Sequence, residues 1–195
     1  MRIVAGDQRG VRLTAPPGRI LRPTSDRVRE SVFNILAHGA LGLPGLDAPG
    51  GARVLDAFAG TGALGLEALS RGARHVVFME NGRIALRGLR ENIDQCKRQD
   101  DSTIREKNVL GPPPATAPVD VAFLDPPYRQ NLVAPALGAL RDAGWFGPET
   151  IIVTEQESSE TDAAPLDVAP QEGFVLLDSR RYGAAKVEFL RLDTA

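Results

Sequence analysis

The 195-residue sequence predicts an α/β fold on a mostly parallel sheet, and three observations carry that reading. From Arg53 onward, short apolar runs alternate with amphipathic stretches of helical period, the pattern of successive βα units. A cluster of glycines, Gly60, Gly62 and Gly65, stands where the first apolar run gives way to the first helical stretch. A hydrophobic content of 43% suffices for one well-buried core, so one main domain is expected.

The first 24 residues read as a small extended appendage, in which Arg2-Ile3-Val4-Ala5 and Val11-Arg12-Leu13 flank a turn over Gly6-Asp7-Gln8-Arg9-Gly10. Pro16, Pro17 and Pro23 then prevent regular structure. A helix is expected from Ser25 or Asp26, both good N-cap residues, to about Ala37. Val28, Val32, Ile35 and Leu36 share its apolar face, opposite Arg27, Glu30, Ser31 and Asn34. The glycine- and proline-rich stretch that follows reads as a linker. The expected organisation is therefore a basic extension (1–38), a linker (39–52) and a main domain (53–195).

Within the main domain, strands are expected at Arg53–Asp56, His75–Met79, Thr103–Glu106, Val119–Leu124, Thr150–Thr154, Phe174–Leu177 and Lys186–Leu192. Helices fall at Ala63–Arg71, Arg83–Cys96 and Leu132–Ala143. Gly111-Pro112-Pro113-Pro114 leaves little room for a helix between the third and fourth strands. The loop from Leu177 to Ala185 is too short for a helical crossover, so the last two strands should pair antiparallel. Trp145 and Phe146 read as core residues.

Charge is unevenly distributed. The net charge is -2, yet residues 1–36 carry Arg2, Arg9, Arg12, Arg19, Arg22, Arg27 and Arg29 against Asp7, Asp26 and Glu30, a balance of +4. Such clustering marks a polyanion footprint, and Arg9, Arg22, Arg27 and Arg29 are the candidate phosphate contacts. Residues 149–172 hold seven acids and no Lys or Arg, so that stretch is not expected on phosphates. The lone Cys96 cannot form an internal disulfide, the opening residues are too polar for a secretion signal, and no apolar run approaches the ~20 residues of a membrane span, so a cytoplasmic protein is expected. His38 and His75 lack ligand-spaced partners, and no metal site is expected.

Two motifs carry chemistry. In Asp56-Ala57-Phe58-Ala59-Gly60-Thr61-Gly62-Ala63-Leu64-Gly65 the glycines spell the dinucleotide-binding pattern, and Glu80 lies where an acid accepts hydrogen bonds from ribose hydroxyls. Taken alone, this Rossmann-like pattern fits NAD as well. A carboxylate at Asp56 would repel a pyrophosphate and instead suits the cationic aminoacyl end of S-adenosylmethionine. Asn108 is in position for an adenine amino group, and Phe58, Asn81 and Asp125 complete the expected cofactor set with Asp56, Gly60, Gly62 and Glu80.

The second motif, Asp125-Pro126-Pro127-Tyr128, follows the apolar strand Val121-Ala122-Phe123-Leu124 and so emerges at a carboxyl end of the sheet, where ligands bind in such folds. An exocyclic amine on a base is a poor nucleophile, because its lone pair is delocalised into the ring. Asp125 and the Pro126 carbonyl are each able to accept one amino hydrogen and aim that lone pair at a methyl donor, with Pro127 rigidifying the turn and Tyr128 stacking on the base. The motif leaves guanine or adenine, and RNA or DNA, open. Arg180-Arg181-Tyr182-Gly183 is a weaker candidate for substrate contact.

With these residues in place the chain resembles the bacterial RsmD-type small-subunit rRNA guanine-N2 methyltransferases. The resemblance rests on Arg2-Ile3-Val4-Ala5-Gly6 with Arg9-Gly10, on the specific segment from Leu21 to Asn34, on Gly60 to Ala73, and on the Asp125 motif. It implies a seven-stranded S-adenosylmethionine-dependent methyltransferase fold with an antiparallel last strand. It also implies methylation of guanine N2 in 16S rRNA within the assembling 30S subunit, by an enzyme expected to be monomeric. Three alternatives remain at this stage: an adenine-N6 methyltransferase on DNA or RNA, an NAD-linked oxidoreductase, and a non-catalytic assembly factor.

Overall fold

The computed structural model describes residues 1–14, 26–37, 51–128, 130–157 and 172–194. The chain divides into two compact units, Met1–Asn108 and Val109–Ala195. Most of the linker, residues 39–50, lies outside the described residues.

The first unit holds α1 (Asp26–Ala37), β1 (Arg53–Ala57), α2 (Ala63–Ser70), β2 (His75–Met79), α3 (Arg83–Gln95) and β3 (Ser102–Arg105). β2 lies between β1 and β3 and is parallel to both, with Asp56 opposite Phe78 and Phe78 opposite Ile104. Val54, Leu55, Val76 and Phe78 are buried, the continuous apolar reading that parallel strands require. α2 packs close to β2. A Cβ on Gly65 would stand 2.3 Å from the Phe78 ring, so this glycine is needed for helix–strand approach rather than for a turn.

The amino-terminal residues form a hairpin reduced to one bridge, Arg2 to Arg12, closed by hydrogen bonds from Ile3 N–H to Val11 O and from Gly10 N–H to Ile3 O. It lies against α2. The Glu67 carboxylate accepts from the Val4 and Ala5 amides at 2.7 and 3.0 Å, and Ser70 O accepts from Asp7 N–H at 2.8 Å. Gly6, at φ +80°, has no room for a side chain, since a Cβ would fall 1.7 Å from Ser70 O. α1 joins the same cluster through Phe33, over whose ring the Arg71 guanidinium sits at 4.9 Å.

α1 shows one departure from its expected faces. Phe33 and Arg29 are fully buried, whereas Ile35 is only half-buried. The inward face is thus rotated toward Arg29, whose guanidinium pairs with Asp26 at 2.9 Å, bonds the Arg2 carbonyl, and lies 3.6 Å from Glu67.

The second unit holds β4 (Val119–Leu124), α4 (Val133–Asp142), β5 (Phe146–Glu157), β6 (Phe174–Tyr182) and β7 (Ala185–Leu192). β4 and β5 are parallel, and β7 lies between β5 and β6, antiparallel to both. Phe123 and Phe189 are buried, and Phe146 meets Phe174 edge to face with centroids 6.1 Å apart. Trp145 is buried as expected and donates to Pro113 O at 2.9 Å, which fastens the helix-free proline stretch before β4.

β6 is longer than its apolar run suggested. Asp178 to Tyr182 belong to the strand and only Gly183 and Ala184 remain as its turn into β7. As the outermost strand β6 needs no apolar residues on its exposed side, so its polar half reads as a loop. Among the described residues, no helix is long and apolar enough to cross a membrane.

Candidate active site

The glycine segment leaves β1 through a tight reversal. Phe58 adopts φ 60°, a left-handed conformation uncommon for a bulky residue, followed by Gly60 at φ 55° and Gly62 at φ 84°. The Gly62 amide closes the turn onto Ala59 O at 2.7 Å. Gly62 occupies the N-cap of α2 and has no side chain with which to cap it. Asp56 does so instead, its Oδ2 accepting from Gly65 N–H at 2.8 Å, and it is only 2% exposed. A carboxylate therefore already stands where dinucleotide folds leave helix amides open to a pyrophosphate.

Glu80, just past β2, organises the same loop from the other side. Its Oε2 accepts from Gly60 N–H at 2.9 Å, and its Oε1 from Asn81 and Gly82 N–H at 2.8 and 2.6 Å. A carboxylate has about four acceptor positions, so three are taken and one stays open, on Oε2. Asn81 and Asn108, the latter just beyond β3, are both exposed. The first unit thus gathers Asp56, Phe58, Gly60, Gly62, Glu80 and Asn81 around one loop, with a donor set that fits a nucleoside carrying a cationic tail.

In the second unit, Asp125 follows β4 directly. Asp125 and Tyr128 are half-buried, Pro126 is buried and Pro127 exposed. The Tyr128 hydroxyl donates to Glu155 Oε1 at 2.8 Å, and Glu155, near the end of β5, is buried. This contact anchors the phenol at its tip. Glu155 lies opposite Val187, which in turn lies opposite Arg180, so the three share one face of the sheet. Sequence reasoning missed Glu155 because an acid within an acidic segment reads as solvated.

The four arginines expected to touch RNA separate. Arg9 and Arg27 are exposed, and Arg22 lies outside the described residues. Arg29 is a correction: it is 0% exposed, its charge is taken up by Asp26 and Glu67, and no phosphate reaches it. Sequence reasoning also missed Glu67 and Asn92. Each had a signal, an acid within the otherwise apolar run Ala63–Ser70 and an amide on the same stripe as Leu86, Leu89, Ile93 and Cys96.

Known proteins resemble this chain over most of its length. The family model described as "Conserved hypothetical protein 95" matches residues 1–191. Ribosomal RNA small subunit methyltransferase D of Escherichia coli (strain K12) is 36% identical over 157 residues, covering 80% of this chain and 75% of that protein. Its namesake from Haemophilus influenzae is 34% identical over 187 residues, covering 94% and 89%. The solved structure of yhhF from Escherichia coli matches with a TM-score of 0.78 at 33% identity, over 100% of this chain and 99% of that one. Seven strands, mostly parallel with β7 reversed, and these relatives make the fold the α/β Rossmann-like methyltransferase fold. The chain belongs to the Conserved hypothetical protein 95 family, the RsmD-type methyltransferases.

Proposed function

We propose that this enzyme transfers a methyl group from S-adenosylmethionine to the exocyclic N2 amine of a guanine in 16S rRNA, as a monomer in the cytoplasm acting on the 30S subunit or an assembly intermediate. The observation that carries the reading is the Asp125-Pro126-Pro127-Tyr128 turn at the carboxyl end of β4 in a chain of this family. The names of the relatives, which refer to ribosomal RNA of the small subunit, support the choice of substrate. Asp56 at the α2 amino terminus speaks against NAD, since its charge meets a pyrophosphate with repulsion.

Gly60, Gly62 and the last acceptor position of Glu80 hold the ribose, Asn108 takes the adenine amine, and Asp56 attracts the aminoacyl cation. When bound, the cofactor supplies an electrophilic methyl group on a sulfonium. Asp125 and the Pro126 carbonyl each accept one hydrogen of the guanine amine, which orients its lone pair. The hydrogen held by Asp125 is the one lost as a proton once the nitrogen–carbon bond has formed. Tyr128, fixed at its hydroxyl by Glu155, presents its ring to the extruded base.

The test is transfer of labelled methyl from S-adenosylmethionine to 30S particles lacking the modification, followed by nucleoside analysis. N2-methylguanosine is expected. N6-methyladenosine would replace guanine by adenine as the target, and no incorporation into 16S rRNA would sink the proposal.

A further inference from the structure

Asn92 of α3 is fully buried and its single amide group joins two segments far apart in the chain. Its Oδ1 accepts from Thr14 N–H at 2.7 Å and its Nδ2 donates back to Thr14 O at 3.1 Å, so the hairpin's last described residue is held by a two-way bond. The same Nδ2 donates its other hydrogen to Thr61 O at 2.9 Å. Thr61 lies between Gly60 and Gly62 in the cofactor loop and is itself buried. Both donor hydrogens are therefore committed, one to each segment. The neighbouring turn of α3 closes on the loop as well, for a Cβ on Gly88 would meet Thr61 Cγ2 at 3.1 Å.

The hairpin that Asn92 grips carries exposed Arg9 and Arg12, and Gln95 fastens it again by donating to Arg12 O at 2.7 Å. We infer that Asn92 is a positioning residue that couples the basic hairpin to the cofactor loop, so that polyanion binding at the hairpin and nucleoside binding at the loop strengthen each other. This inference rests on the methyltransferase reading above and adds a regulation to it. The physical reason is shared order. A ligand that restricts the Thr14 peptide also restricts Asn92, and through it the Thr61 carbonyl, so the second ligand has less disorder to remove. Linkage makes the effect reciprocal.

The experiment measures S-adenosylhomocysteine affinity by calorimetry, with and without unmethylated 30S subunits, for the intact chain and three variants. For the unaltered protein, 30S subunits should tighten S-adenosylhomocysteine binding by about 5-fold or more, the lower end of common coupling factors. Asn92→Ala should weaken binding by the free enzyme and bring the coupling factor to about 1. Thr14→Pro removes the Thr14 N–H donor and leaves both the Thr14 carbonyl on Nδ2 and the Asn92–Thr61 bond, so binding by the free enzyme is kept while the coupling is reduced. Gln95→Ala, which loosens the hairpin without touching Thr61, should retain the coupling. Absence of coupling in the unaltered protein, or coupling that stays at full strength in Asn92→Ala or in Thr14→Pro, overturns the inference. Failure of the unaltered protein to bind S-adenosylhomocysteine at all would instead overturn the methyltransferase reading.

Discussion

Replacing Glu67 by alanine is expected to cost more stability than any other single exchange of an acid among the described residues. Its carboxylate is fully buried and accepts from the Val4 and Ala5 amides at 2.7 and 3.0 Å and from Arg71 Nε at 2.7 Å. Arg29 Nε lies 3.6 Å away and Arg29 is itself fully buried. Alanine would strand two peptide donors and leave two guanidinium groups short of their counter-ion. Breaking a buried pair in this way typically costs about 3 to 5 kcal/mol. Arg29 keeps Asp26 and the Arg2 carbonyl, which favours the lower half of that range.

Glutamine offers little rescue. Its amide has one oxygen, so one of the two peptide donors would face an NH2 group, and the negative charge is gone. A loss of about 2 to 3 kcal/mol is expected for Glu67→Gln. Both losses are large against a total stability of about 5 to 15 kcal/mol. Urea unfolding gives the measurement, read as a shift of midpoint at constant slope. Hydrogen exchange supplies the local signature, faster exchange at the Val4 and Ala5 amides. A loss below about 1 kcal/mol for Glu67→Ala, with unchanged exchange there, would refute the claim that this carboxylate fastens the hairpin.

Three further outcomes are expected. Tyr128→Phe and Glu155→Ala should lower kcat/KM by similar factors and the double variant by no more than either, because both remove one hydrogen bond; Glu155→Gln, which still offers an oxygen, should retain most activity, and additive losses would argue against a shared role. Burial, with help from Arg53, holds His75 below its ordinary value of 6.5, so folding favours the neutral ring; its contribution to stability is complete above pH 6.5 and declines as the pH falls below that value, and His75→Gln should flatten that part of a stability–pH curve. Arg9→Ala should weaken RNA binding and reduce the salt slope by about 1, whereas Arg29→Ala should destabilise the fold; an equal change of salt slope for both would contradict the burial of Arg29.

The strands and helices of the βα units were legible because each has one dominant requirement. β2 is apolar from Val76 to Met79 and β4 from Val121 to Leu124, and α3 alternates at helical period, so pattern alone places them. β6 was truncated in the reading because an outer strand tolerates Asp178, Arg180 and Arg181 on its surface. Arg29 misled for a different reason. Its surroundings are set by Asp26, Arg2 and the distant Glu67, and a basic residue among basic residues carries no mark of burial.

The site divides along the same line. Asp56, Glu80 and the Asp125 turn stand out in the sequence because the proposed chemistry ties them to nearby glycines or prolines. Glu67, Asn92 and Glu155 act on partners far away in the chain, Val4, Thr14, Thr61 and Tyr128, and such long-range pairings leave only an out-of-place polar residue as a trace. Asp56 and Glu80 each accept a hydrogen bond from the backbone of the glycine segment, which the motif's spacing does not reveal.

Methylation of a guanine amine in 16S rRNA through the Asp125 turn is put to the test by mass spectrometry of 16S rRNA from a strain without this gene. One guanosine lacking its N2 methyl group is expected, restored by the intact gene and not by a gene carrying Asp125→Ala. An unchanged modification profile in the strain without the gene, or full restoration by Asp125→Ala, would contradict it.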